Sequence, residues 1–263
     1  MPPTNLLQGK TAIITGGTTG IGRAIALEYI RQGANVVVNH LGLDHDRSHL
    51  TSLVSEAEGI RAGALDHRPG DVTDPATGKA LVQHAVSRFG RLDICVSNAG
   101  ICQFAEFLTL ETDLFSRTVR TNLDGAFYVV QAAAQQMASQ RPSGGSIIGV
   151  SSISALVGGG LQTHYTPTKA GVLSLMQSCA VALGKHGIRC NALLPGTIET
   201  QLNREDLADD KKRAYMESRI PLGRTGVPPD LAGPAVFLAC EELSGYITGA
   251  QLLVDGGLFV NLQ

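Results

Sequence analysis

One short stretch constrains this chain more than any other: an apolar run, TAIIT at 11–15, passes directly into TGGTTGIG, Thr15 to Gly22, and then into a segment with helical spacing. A strand that ends in glycines and opens into a helix leaves unpaired backbone N–H groups at a helix N-terminus. The helix dipole and these donors together favour a phosphate there. Gly16 permits the turn, Gly20 lets the backbone approach a pyrophosphate, and Gly22 allows the helix to pack tightly on the strand, with Thr18 and Ile21 as further contacts within the loop. The strand before and the helix after are the context that such a loop requires, so the pattern predicts nucleotide binding.

The remainder of the chain repeats this rhythm. Short runs rich in β-branched residues recur at 35–39 (NVVVN), 92–98, 145–152, 188–195 and 250–255. Their near-continuous hydrophobicity marks strands buried on both faces. Helical spacing fills 20–33, 76–90, 114–138 and 170–187. Alternating strands and helices predict a single α/β domain over residues 1–263, a doubly wound parallel sheet covered on both faces by right-handed crossovers. The 31 glycines among 263 residues, about 12% against a usual 7%, fit a chain whose backbone must come close to other atoms.

Composition excludes several functions. The net charge of −2 offers no basic field for a nucleic-acid backbone or an acidic membrane surface. Five scattered cysteines without a C-x-x-C pair fit free thiols in a reducing compartment. No run reaches the length of a membrane span, and a cytoplasmic protein is expected.

At the end of the second strand stand Asn39 and His40, where a carboxylate would ordinarily hold the ribose hydroxyls of a cofactor lacking a 2′-phosphate. Without that negative charge, Asn39, His40 and Arg47 are available as donors to a 2′-phosphate. NADP is therefore expected in preference to NAD, with NAD still accepted. Asp71, followed by Val72, is placed to accept from an adenine amino group. Asn98, Ala99 and Gly100 follow the fourth strand at the carboxyl edge, where open α/β sheets bind ligands.

The stretch HYTPTKAG carries a second chemistry. Tyr165 and Lys169 stand four apart and share one helix face if Pro167 lies in the first turn, where its missing N–H costs nothing. A tyrosine would need its pKa lowered by about 2 to 3 units to act as a base near neutrality, which an adjacent ammonium and the helix end can supply. Ser152, thirteen residues earlier in GVSSIS, is placed to hydrogen-bond an oxygen that develops charge, with Ser151 and Ser154 as rivals by composition. Asn122, a poor helix former inside 114–138, hints at a specific hydrogen bond.

The set T-G-x-x-x-G-x-G (Thr15 to Gly22), N-A-G (Asn98 to Gly100), Asn122, Ser152, Y-x-x-x-K (Tyr165, Lys169) and P-G (Pro195, Gly196) resembles the short-chain dehydrogenase/reductases across the whole chain. The resemblance implies a Rossmann-type sheet of about seven strands. It implies Tyr165 as general acid/base, Lys169 lowering its pKa and holding the nicotinamide ribose, Ser152 polarising the substrate oxygen, and Asn122 organising a relay water. Pro195, Gly196 and Ile198 join the cofactor contacts. A homotetramer, no catalytic metal and a mobile substrate lid at 199–219 are implied as well.

A closer resemblance is to the sugar dehydrogenases of this family, which act on an anomeric hydroxyl. It puts Ser152, Ser154, Gln162, Tyr165, Thr197 and Asn203 against a small-molecule sugar, with Cys102 in the wall. The alternatives are another aldose, an acyl-chain ketone, or a nucleotide sensor without chemistry.

Overall fold

The computed structural model describes residues 5–44, 46–60, 62–203 and 207–261. Its centre is a seven-stranded sheet in the order β3-β2-β1-β4-β5-β6-β7, every pairing parallel. The strands are β1 (Thr11–Ile14), β2 (Asn35–His40), β3 (Ala64–Pro69), β4 (Ile94–Ser97), β5 (Gly145–Val150), β6 (Ile188–Pro195) and β7 (Gln251–Val254).

The continuous apolar runs are explained by two cores, one on each face. Successive residues of a strand point to opposite faces. Ile14, Val36 and Val38 therefore pack with α1 (Gly20–Arg31), α2 (Asp46–Ile60) and α8 (Pro229–Ala239), through residues such as Ile25 and Leu231. Ile13 and Val37 enter the other core with α3 (Pro75–Phe89), α5 (Gly125–Ser139) and α6 (Thr166–Leu183), meeting Leu81, Met137 and Met176.

The chain leaves β3 at one edge and returns to lay β4 beside β1, so the strand order reverses between β1 and β4. At such a switch point the loops after neighbouring strands part and leave a crevice at their carboxyl ends. The glycine loop and the Asn98–Gly100 loop flank this opening.

The long helix expected over 114–138 is not continuous. It is α4 (Thr112–Val119), a π-helical turn over Arg120–Asp124, and then α5. Asn122 sits in that turn, which explains how a poor helix former is tolerated. The strand expected over 145–152 stops at Val150, which leaves Ser151 and Ser152 beyond its end. Within the expected lid 199–219, the described part contains α7 (Asp210–Arg219), capped by Asp209, whose carboxylate accepts from the N–H groups of Lys211 and Lys212; residues 204–206 lie outside the described residues. The 3-10 turn at Ile153–Ala155 and the four-residue α9 (Glu241–Ser244) complete the elements used below. Among the described residues no helix is long and apolar enough to cross a membrane.

Candidate active site

Four strand ends build one groove. The loops after β1, β4, β5 and β6 line a cavity of about 600 Å³. It adjoins a second of about 910 Å³, which runs toward the ends of β2 and β3. Gly16, Ala99 and Gly100 line both cavities.

The glycine loop has the conformation that its composition demands. Gly16 and Gly20 have φ of +61° and +53°, a region that side-chain-bearing residues rarely adopt. A Cβ on Gly22 would lie 2.3 Å from the Gly16 carbonyl oxygen, so Gly22 shapes the loop while lying outside both cavities. Thr19 occupies the N-cap of α1 without a side-chain hydrogen bond, and the first turn holds no acidic residue. The N–H groups at this helix start thus retain the capacity to bind a phosphate. Thr18 faces the second cavity and Ile21 the first.

Asn98 serves the loop. Its Nδ2 donates to the carbonyl oxygens of Thr15 and Gly16 at 3.0 and 3.1 Å, while the N–H groups of Asn98 and Ala99 both donate to Thr15 Oγ1 at 3.0 Å. It tethers the glycine loop to the end of β4, so its amide holds the cradle open while its flank lines the groove.

Tyr165 is the N-cap of α6 and Pro167 lies in the first turn, as the spacing requires. The Lys169 N–H donates to the Tyr165 carbonyl at 3.2 Å, which fixes the two side chains on one face. Lys169 Nζ sits 5.5 Å from the centroid of the Tyr165 ring and donates to the Val150 carbonyl at 3.0 Å. Ser152, extended at φ −168°, caps the 3-10 turn: its Oγ accepts from the Ser154 N–H at 3.0 Å, and it lines the first cavity with Tyr165. Ser151 is removed as a rival because its hydroxyl is buried and donates to the Lys169 carbonyl at 2.7 Å.

The electrostatics correct the expectation of a lowered tyrosine. Burial, followed by the neighbouring Cys102, raises the Tyr165 pKa above its ordinary value, with the Ser152 hydrogen bond opposing. Burial also brings the Lys169 ammonium down to about 8. The physical reason is that both groups lie in the same dry site, where each pays for its charge. The ammonium is also directed at a backbone carbonyl and the ring face.

Asn122 is committed on both sides. Its Oδ1 accepts from the Ile101 N–H at 2.8 Å, and its Nδ2 donates to the Ile101 carbonyl at 2.9 Å and to Thr168 Oγ1 at 3.2 Å. It pins the segment after Gly100 to α6. A Cβ on Gly100 would meet Asn122 Oδ1 at 3.2 Å and Lys169 Nζ at 3.5 Å, so the absence of a side chain leaves room for a ligand beside that ammonium.

At the end of β2 three sequence expectations change. Asn39 is buried, and its Nδ2 donates to the Gly70 carbonyl at 2.8 Å and more weakly to those of Arg68 and His40. Its Nδ2 is thus spent on joining β2 to the loop after β3, while Asn39 also lines the second cavity. Arg47 is exposed, pairs with Asp44 at 3.1 Å and lines neither cavity. A carboxylate does stand nearby: Asp46, the first residue of α2, lines the second cavity with His40, Asp71 and Val72. The only sign of it in the sequence is an acidic residue opening the helix after β2. Asp71 Oδ1 accepts from the Thr73 N–H at 2.9 Å, which orders that loop.

Ser154, Gln162, Thr197, Asn203 and Cys102 all reach the first cavity, as do Pro195, Gly196 and Ile198. Gln162 Nε2 donates to Cys102 Sγ at 3.6 Å. Asn203 differs from expectation. Its Oδ1 accepts from the Thr200 N–H at 2.9 Å and its Nδ2 donates to the Ile198 carbonyl at 2.8 Å, so its polar atoms already hold the loop after β6. Sequence reasoning missed the apolar wall of Phe104, Val157, Met216 and Leu258. These residues come from four separate segments, and no local periodicity joins them.

A family model described as "Enoyl-(Acyl carrier protein) reductase" matches residues 16–259. The chain is 61% identical over 260 residues to an L-rhamnose-1-dehydrogenase of Scheffersomyces stipitis, covering 99% of this chain and 100% of the relative. It is 58% identical over 258 residues to an L-rhamnose 1-dehydrogenase (NAD(P)(+)) of a Sphingomonas species, covering 98% and 99%. Among solved structures, a short-chain type dehydrogenase/reductase from Mycobacterium marinum superposes with a TM-score of 0.87 at 37% identity, covering 96% of each chain.

Proposed function

The chain belongs to the short-chain dehydrogenase/reductase family, and from that premise we propose that it oxidises the anomeric C1 hydroxyl of L-rhamnose to the lactone, with NAD(P)+ as hydride acceptor. The observation that carries this reading is the near-full-length identity of 58–61% to relatives named for that reaction. The groove supports it chemically. Hydroxyl and amide groups of Ser152, Ser154 and Gln162 face a cavity whose other wall is apolar. A 6-deoxy sugar presents the same division, hydroxyls along one part of the ring and a methyl at C6.

In this reading the nicotinamide of the bound cofactor supplies the acceptor for the hydride leaving C1. The Tyr165 phenol, held neutral by burial, first gives up its proton along the relay to solvent water; the tyrosinate then takes the proton of the C1 hydroxyl, and Ser152 holds that oxygen as its charge changes. Lys169 supplies the positive charge that favours the tyrosinate in the moment of transfer and binds the nicotinamide ribose. Asn122 fixes Ile101, and the relay water implied by the resemblance belongs to the same proposal. The glycine loop and the uncapped start of α1 take the pyrophosphate.

A homotetramer and residence in the cytoplasm are part of this proposal. Exposed apolar side chains on α5 and α6, Phe127 and Val181, support contacts between copies. The test is a panel of aldoses with NADP and with NAD, followed at the absorbance of the reduced nicotinamide. L-Rhamnose should give the strongest signal. A strong signal from another aldose with none from L-rhamnose would overturn the substrate and leave the family unchanged.

A further inference from the structure

The end of β2 holds a second titratable device. His40 Nε2 lies 3.2 Å from Nδ1 of His67 on the neighbouring strand β3, with ring centroids 5.3 Å apart. His40 is buried, faces the second cavity, and its Nδ1 has no hydrogen-bond partner among the described residues. The Oδ2 atom of Asp46 is 3.8 Å from that Nδ1 and accepts from the N–H groups of Gly42 and Leu43. Asn39 Nδ2 is spent on backbone carbonyls and Arg47 pairs with Asp44 outside the cavity. Thus His40 Nδ1 is a buried nitrogen without a hydrogen-bond partner beside the position where the 2′ substituent of a dinucleotide distinguishes NADP from NAD.

Its chemistry depends on one proton. In the neutral pair a single proton serves the Nε2···Nδ1 contact between the rings. Protonation adds a unit charge and leaves both nitrogens of His40 as donors, so Nδ1 can bond a phosphate oxygen. We infer that the protonation state of His40, set by His67 on one side and Asp46 on the other, tunes the choice between NADP and NAD. Charged His40 receives the 2′-phosphate; neutral His40 beside the Asp46 carboxylate receives the 2′-hydroxyl. This rests on the proposed cofactor reading and adds to it a regulation of the same site.

The remaining charged groups of the cavity are Asp71 from the loop after β3, Asp113 and Arg117 of α4, and Arg120 of the π-turn. Burial and then His67 lower the pKa of His40, with Asp46 opposing. Free His40 is therefore neutral at neutral pH, and a bound phosphate must draw the proton in. Reciprocal linkage then makes NADP affinity fall as pH rises between the free and bound pKa values, by up to about tenfold per pH unit for one proton.

The test is equilibrium binding of NADPH and NADH to the full chain by cofactor fluorescence, at fixed ionic strength from about pH 6.5 to 8.5, where a phosphate is mostly dianionic. The wild-type preference for NADPH should fall as pH rises, and His40→Gln should flatten it. A preference independent of pH, or a slope that survives in His40→Gln, overturns the inference. If His40→Gln does not fold, His67→Gln decides: removing the like charge moves the fall to higher pH, and an unchanged curve overturns the inference. Failure to bind either nucleotide would overturn the cofactor reading and this inference with it, whereas binding at a pH-independent ratio defeats this inference alone.

Discussion

Lys169 Nζ stands 5.5 Å from the centroid of the Tyr165 ring and gives a 3.0 Å hydrogen bond to Val150, so the lysine meets the tyrosine through its ring face. This geometry separates two roles that a Y-x-x-x-K spacing alone would merge: the chemistry proposed for the phenol, and a buried charge held beside it.

Tyr165→Phe tests the phenol. It removes one oxygen and leaves the ring packed at the start of α6. The value of kcat/KM for the sugar should fall by about 10²- to 10⁴-fold, the range for a general acid/base. NADPH binding should persist within about twofold, because the glycine loop is untouched. Comparable turnover in the variant would remove Tyr165 from the chemistry.

The buried charge has a stability cost that Lys169→Met should expose. The ammonium titrates near 8 in the folded protein, down from 10.5. Below pH 8 the unfolded chain and the folded protein are both protonated, and the full penalty applies. Between 8 and 10.5 the unfolded chain binds more protons, so wild-type stability from this group rises with pH. The penalty is about 3 kcal/mol, offset by roughly 1 kcal/mol for the lost bond to Val150. The variant should therefore be inactive yet more stable at pH 7, with the gain shrinking as pH rises past 8. Urea unfolding at pH 7 and pH 9.5 would show it; a variant less stable at both would contradict the assignment.

Two glycines make a paired test. A Cβ on Gly22 would meet the Gly16 oxygen at 2.3 Å and Asn98 Nδ2 at 2.6 Å, whereas one on Gly59 in α2 would meet nothing within 4 Å. Gly22→Ala should cost about 3 kcal/mol and abolish nucleotide binding. Gly59→Ala should stabilise by about 0.5 to 1 kcal/mol. Thermal unfolding with and without NADPH measures both effects.

Asn39→Asp looks in the sequence like a simple route to NAD. In the fold it would put a buried carboxylate against the carbonyl oxygens of Gly70, Arg68 and His40. A loss of about 2 to 4 kcal/mol is expected at pH 7. A variant of wild-type stability with a raised NAD preference would return Asn39 to the role of specificity residue.

Much of this protein was legible in its order of residues because the signals are local. TAIIT followed by TGGTTGIG specifies a strand, a turn needing positive φ, and a helix start open to an anion. Tyr165, Pro167 and Lys169 define their own helix face. Alternate burial of Ile13 and Ile14 on two cores follows from the period of a strand once both faces are covered. What the sequence could not supply was the partner of each polar side chain. Asn39, Asn98 and Asn203 read as ligand contacts and Asn122 as the holder of a relay water, and the Nδ2 of each donates to backbone, because the carbonyls they meet come from loops joined only by the tertiary fold. The same is true of Asp46 beside His40, and of His67, which parallel pairing brings within 3.2 Å of a ring 27 residues away. Burial decided the rest: a tyrosine and a lysine four residues apart exchange charge in one way in water and in another in a dry cleft, and only the packed structure makes the cleft dry.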